Sequence, residues 1–391
     1  MVEHKPGAYL DHAAATPLDP RVRSAMAPFL DQVFASPEAL HDGARRPAEA
    51  LEQARVQVAA LIGADPEGVI FTAGDTEARN LAVKGIVAAN AHRGAHIVTS
   101  AVEHPATLAA CRTLARDRAE LTVVGVDGIG RIDPGALAAA VRDDTVLVTI
   151  SHGQAEIGTI QDVVAQISAI RARNPDVAIH VDTGATAGLV PIDVTAWGCD
   201  AVTIGGGSMG GPRWAGVLWV RQGTRLHPLI EGGLQEGGKR GGPHDMPGIV
   251  GLGEAARLAA AEIGARGAHM SALAERLIGH LVAVDDVRLN GPRTGRVPGH
   301  VQVSAGWVEG ETLVLTLAAH GVAASPGSAC SAAGKASPVL EAIGLEPPWT
   351  HSAVLFTLAP TTTATEIDFA AAAFTDAVAS LRAMSPIAGD A

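Results

Sequence analysis

The chain has 391 residues, 47% hydrophobic and 18% charged, with a formal net charge of −12. That acidic balance argues against a nucleic-acid binder, because phosphate contacts need clustered Lys and Arg. No apolar run reaches the roughly 18 residues of a membrane span.

The first residues, MVEHKPGAYLDHAAATP, show no basic segment leading into an apolar one. Cys111, Cys199 and Cys330 make neither a disulfide framework nor a zinc pattern, so a reduced, cytoplasmic setting is expected. Residues 44–63 carry apolar positions at helical spacing. GVIFTAG then reads as a buried strand, and residues 75–91 as a helix with Asp75 and Glu77 in its first turn. HIVTSA, LTVVGV, TVLVTIS and AIHVD follow as strands, separated by the helical stretches HPATLAACRTLARD, DPGALAAAV and VVAQISAIRARN. DAVTIG and AGVLWV are strands around a glycine-rich stretch. This alternation predicts an α/β fold with a mostly parallel sheet between helices.

From Pro247 the texture changes. Residues 249–284 read as one long helical stretch, expected to break near Gly264 or Gly267. HVQVSAG, GETLVLTLAAHG, SPVLEAIGL, AVLFTLA and TEIDFAAAAFTDAVASLRAM then form an α+β pattern. The expected division is a large domain over 15–254 and a smaller one over 255–391 joined by residues 1–14, the smaller carrying the Cys330 loop. SPIAGDA reads as a frayed tail.

Several short motifs punctuate these elements in order. They are YLDHAAATP (9–17), FTAGDTEARNLAVKG (71–85), SAVEH (100–104), EIGTIQD (156–162), HVD (180–182), VPID (190–193), GGPRWAGVLWV (210–220), GGLQEGGKRGG (232–242), GIVGLGEA (248–255), GSACS (327–331) and TTTATEID (361–368). Each alone is weak, but the ordered set covers nearly the whole chain. It resembles the cysteine desulfurases of the NifS/IscS group, class V aminotransferase relatives of fold type I that use pyridoxal phosphate. In that family a lysine holds the cofactor as a Schiff base and an aspartate keeps its pyridine nitrogen protonated. A helix N-terminus holds the phosphate, and a cysteine carries substrate sulfur away as a persulfide.

The resemblance implies roles for particular residues. Asp182 matches the pyridine aspartate, His104 the histidine that stacks on the ring, Thr76 the phosphate-loop threonine and Cys330 the sulfur-carrying cysteine. Cys111 and Cys199 read as core. The departures are as informative. Only four residues are lysines: Lys5, Lys84, Lys239 and Lys335. The family lysine position is Ser208, whose hydroxyl cannot form an imine. The neighbouring histidine and phosphate-binding serine positions are Gly207 and Gly205. A cofactor-binding glutamine falls at Ala185, an asparagine pair at Gln154-Ala155, the substrate-carboxylate arginine at Leu355 and a partner-supplied threonine at Pro243. Asp75 stands in the phosphate loop, where its charge repels a phosphate dianion. Lys239 is the best candidate for a relocated lysine.

These departures imply that pyridoxal phosphate is bound non-covalently or not at all. The glycine-rich turn after Thr203-Ile204 reads as a relaxed turn, with an amide anion site as the alternative. No metal-ligand spacing is present. Three functional readings follow. One is a lysine-less homologue that keeps Cys330 as partner or persulfide acceptor in sulfur transfer and iron–sulfur assembly. The second is an active desulfurase using Lys239. The third is a non-catalytic scaffold. A homodimer is expected from GGLQEGGKRGG and GIVGLGEA, with an active desulfurase or an iron–sulfur scaffold protein as partner.

Overall fold

The computed structural model describes residues 7–327 and 336–384. Among the described residues there are twelve strands: β1 (Ala8–Tyr9), β2 (Val69–Thr72), β3 (His96–Ser100), β4 (Glu120–Val124), β5 (Thr145–Ser151), β6 (Ala178–Asp182), β7 (Ala201–Gly205), β8 (Gly216–Val220), β9 (Val287–Leu289), β10 (His300–Ala305), β11 (Val322–Ala323) and β12 (Ala353–Thr357). Seven of them form one sheet in the order β2-β8-β7-β6-β5-β3-β4. Its pairs β3–β4, β3–β5, β5–β6 and β6–β7 are parallel, and β8 runs antiparallel to both neighbours. Helices cover both faces, as the sequence alternation predicts.

Side-chain alternation builds two cores on this sheet. Val98, Val148, Ile179, Val181 and Ile204 face one layer; Ile97, Leu147, Ala178 and Leu218 face the other. A third core lies around the antiparallel sheet β9-β10-β12, packed by Leu273, Leu277, Phe356 and Phe374. The chain start joins this third core through β1, which pairs with β11.

Two expectations need correction. The long helix runs unbroken from Met246 to Leu281, 36 residues, with Asp245 capping Gly248 N. Gly264 and Gly267 each cost about 1 kcal/mol relative to alanine. The helix packs Ile249, Leu252 and Ala259 into the first core and Leu273, Leu277 and Leu281 into the third, and burial of such side chains outweighs that cost. Most of the GIVGLGEA segment is buried within the chain, with Val250 and Glu254 partly exposed. Gly253 packs against the Arg45–Leu61 helix, where an added Cβ would meet Ala54 Cα at 2.6 Å.

The 75–91 helix is likewise not regular. Asp75–Asn80 is α-helical, Leu81–Gly85 is a π-turn and Ile86–Ala89 resumes α-helix. The wider turn re-phases the buried face, so that the consecutive residues Leu81, Ala82 and Val83 are all buried.

Candidate active site at the C-terminal edge of the sheet

The parallel strands deliver their last residues to one edge, the usual ligand edge of an open α/β sheet. Asp182 ends β6 in the middle of that edge, and Ser151 ends β5 beside it. On the far side of β7 and β8, β2 leads through Gly74 (φ 90°) into the helix that opens with Asp75. Glycine at 74 permits the left-handed turn. Glycine at 216 lets β8 approach it, since a Cβ there would lie 2.4 Å from the Gly74 carbonyl carbon.

The dominant feature is an ion triad. Arg79 donates from Nε to Asp182 Oδ2 at 2.6 Å and from Nη2 to Asp182 Oδ1 at 3.1 Å. Its Nη1 lies 2.8 Å from Asp75 Oδ2, off the line of a good hydrogen bond. The side chains of Arg79 and Asp182 are 3% and 4% exposed. Gly184 N adds a third donor to Asp182, at 2.9 Å to Oδ1. Burial pushes the Asp182 carboxyl up, but the Arg79 guanidinium outweighs it and holds the acid at about 2.

His104 is the N-cap of the Pro105–Asp117 helix, and its Nδ1 accepts from Ala106 N at 3.1 Å. That acceptor role places the proton of the neutral ring on Nε2. Burial, then the Arg79 charge, lowers its pKa, while Asp182 and Asp75 pull the other way. The structure thus brings together His104, Asp182, Asp75 and Arg79. Beneath them Glu103 is fully buried. It accepts from Ser100 Oγ (2.7 Å), Ser151 Oγ (2.6 Å) and Ser151 N (2.9 Å), and burial pushes it up to about 7.

The other predicted positions are more peripheral. Thr76 is exposed in the first helical turn. Ser208 sits half-buried in the Gly207–Met209 3-10 turn and donates its hydroxyl to Ala187 O at 2.9 Å. The amides of Gly206, Met209, Gly210 and Gly211 are spent on bonds within this segment, which favours the relaxed turn over an anion site. Lys239 follows the 3-10 turn Gln235–Gly238. That loop is fastened by the buried Glu236 carboxylate, which takes Arg55 Nη1 (3.0 Å), Phe71 N (2.9 Å) and His244 Nε2 (2.8 Å). Arg240 then reaches Glu77 at 3.0 Å. The charges that act most on His104 come from Arg79, Asp182 and Asp75, and those on Asp182 from Arg79 and His104.

Cys330, Lys5 and Lys335 lie outside the described residues. The segment bearing Cys330 is flanked on both sides by Glu156. Ser337 Oγ donates to Glu156 Oε2 at 2.7 Å, and a Cβ on Gly327 would come 3.5 Å from the same oxygen. Cys111 and Cys199 are fully buried, and burial raises both thiols to about 12. Among the described residues no cluster could hold a metal ion, and no helix is long and apolar enough to cross a membrane. Sequence reading missed Arg79 and Glu103. The spacing of four between Asp75 and Arg79 was the available signal for the first.

A seven-stranded, mostly parallel sheet with its acidic site at the strand ends, beside a small antiparallel unit, defines a fold-type I α/β transferase architecture. The chain belongs to the aminotransferase class-V family, whose profile matches residues 8–369, and its relatives there are cysteine desulfurases. It is 39% identical over 380 residues to the cysteine desulfurase IscS of Dictyoglomus turgidum, covering 97% of this chain and 96% of that one. It is 36% identical over 380 residues to cysteine desulfurase IscS 1 of Archaeoglobus fulgidus, covering 97% and 99%. A solved NifS-like protein superposes with a TM-score of 0.90 at 28% identity, covering 94% of this chain and 98% of that one.

The family's cofactor is pyridoxal phosphate. The residues described here do not fit it. Asp182 has both oxygens engaged by Arg79 and Gly184. The Asp75 carboxylate stands at the helix N-terminus, and Ser208 is tied to the backbone.

Proposed function

We propose that this chain is a desulfurase-family protein without pyridoxal phosphate chemistry, serving sulfur transfer and iron–sulfur assembly as a partner or persulfide acceptor through Cys330. The observation that supports this most is the bidentate Arg79–Asp182 pair, which engages both oxygens of the aspartate with a cation of the chain itself. Ser208 at the lysine position supports the same reading. In the accepting step the Cys330 thiolate attacks the terminal sulfur of a donor persulfide. A new S–S bond forms, the donor's S–S bond breaks and the donor leaves as thiolate, with no net electron transfer.

The division into 15–254 and 255–391 with 1–14 is proposed on the separate cores that the Met246–Leu281 helix spans. A homodimer is proposed on the apolar residues Phe34 (84% exposed), Leu40 (105%) and Leu234 (89%). Gln235 Nε2 donates to Glu38 Oε2 at 3.1 Å and so holds their two segments together.

Purified protein is expected to be colourless, to stay so with added pyridoxal phosphate, and to release no sulfide from cysteine. In light scattering the same sample should show twice the 39.7 kDa chain mass. A yellow protein bleached by borohydride would sink the reading. Incubation with a persulfide-loaded desulfurase should add one sulfur, 32 Da by the mass of the atom, to the wild type but not to Cys330→Ser. Equal loading of the two, or none of either, removes the acceptor role.

A further inference from the structure

We infer that Arg79 is the chain's own substitute for a protonated ring nitrogen at Asp182, and that the Asp75–Arg79–Asp182 triad closes this edge of the sheet to pyridoxal phosphate while stabilising the fold without it. The inference rests on the reading above and assigns its cause to named residues. A carboxylate as buried as Asp182 needs a cation beside it. The guanidinium meets both of its oxygens as a fork, the strongest geometry for such a pair, and the Gly184 amide takes a further lone pair.

Space is filled as well as charge. A Cβ added to Gly184 would lie 2.2 Å from Arg79 Nη2, so the guanidinium is packed against the backbone after β6. Asp75 completes the triad from one helical turn away on the same helix. Its carboxylate, at the helix N-terminus, takes the electrostatic place of a bound phosphate. A Cβ on Gly205 would come 3.2 Å from Asp75 Cβ and Oδ2, so the glycine at the end of β7 makes room for this acid. Two charges a cofactor brings, a cation at Asp182 and an anion at the helix start, are thus both supplied by side chains of one helix.

The test is a titration of full-length variants with pyridoxal phosphate, read as borohydride-trapped adduct mass and absorbance. Ser208→Lys alone should trap no adduct, because the triad still fills the site. Ser208→Lys with Asp75→Ala and Arg79→Ala should trap one cofactor at residue 208. Adduct formation by Ser208→Lys alone at the level of the triple variant overturns the inference, and so does a folded triple variant that traps nothing. Should the triple variant fail to fold, Arg79→Ala decides. Its melting temperature should fall by about 5 °C or more and recover with added methylguanidinium, which leaves the wild type unmoved. A fall without that recovery overturns the inference. Colour in the wild-type protein from an imine at one of its own lysines would instead overturn the functional reading, a separate outcome.

Discussion

Replacing Arg79 by methionine should destabilise the folded chain by about 3–5 kcal/mol, the usual cost of leaving one member of a buried ion pair without its partner. The Asp182 carboxylate is held at about 2 because Arg79 offsets its burial. Without the guanidinium the burial penalty remains, and the acid must either stay charged in an apolar setting or take up a proton. The double variant Arg79→Met with Asp182→Asn should recover a large part of the loss, because the asparagine keeps an oxygen for the Gly184 amide and carries no charge. Urea unfolding at neutral pH measures both. A single variant within about 1 kcal/mol of wild type, or a double variant no more stable than the single, contradicts this account of the triad.

The second large effect is acid sensitivity. His180 lies in β6 at the centre of the sheet, with Nδ1 on Thr149 Oγ1 and Nε2 on Thr203 Oγ1, both at 2.8 Å. His152 bonds Thr186 Oγ1 at 2.9 Å and packs edge-on against Trp197. His300 opens β10, buried. Burial lowers all three to about 4 from an ordinary value of 6.5. A depressed folded-state pKa contributes stability that is present above 6.5 and is lost as pH falls toward 4. At pH 5 each histidine accounts for a loss of about 2 kcal/mol.

Glu103 opposes this. Its pKa is raised to about 7, so its contribution is full below the ordinary 4.5 and disappears as pH rises through 7. Acidification from pH 7 to pH 5 returns about 2 kcal/mol from Glu103. The balance remains a net loss of a few kcal/mol between pH 7 and pH 5, measurable as a falling unfolding free energy. Stability that holds level or rises over that interval contradicts the assignment of neutral buried histidines.

The sheet was legible because short buried apolar runs separated by helical stretches leave few topologies, and Asp182 was legible because it closes the AIHVD run. The buried state of Cys111 and Cys199 could be read from their apolar surroundings. The Arg79–Asp182 pair could not, because it joins residues 103 apart and only the crossover connections bring them together. Asp75 was visible as a charge in the wrong place for a phosphate. That its neighbour four residues on neutralises it, and occupies the aspartate as well, depended on tertiary packing. Glu103 reads as one letter of SAVEH, and its burial follows from the approach of β3 to β5. The expected helix break failed for the same reason: glycine propensity is local, whereas two cores grip the Met246–Leu281 helix at its two ends.

That helix has a mechanical meaning. Thirty-six residues at 1.5 Å each make a rod about 54 Å long, anchored by Asp245 at one end and buried by Leu281 at the other. With no proline inside it beyond Pro247 and no widened turn, it offers no hinge. Swinging the small sheet against the large one would require bending a stiff strut gripped at both ends. The architecture is that of a braced frame, in which give is confined to the connecting loops.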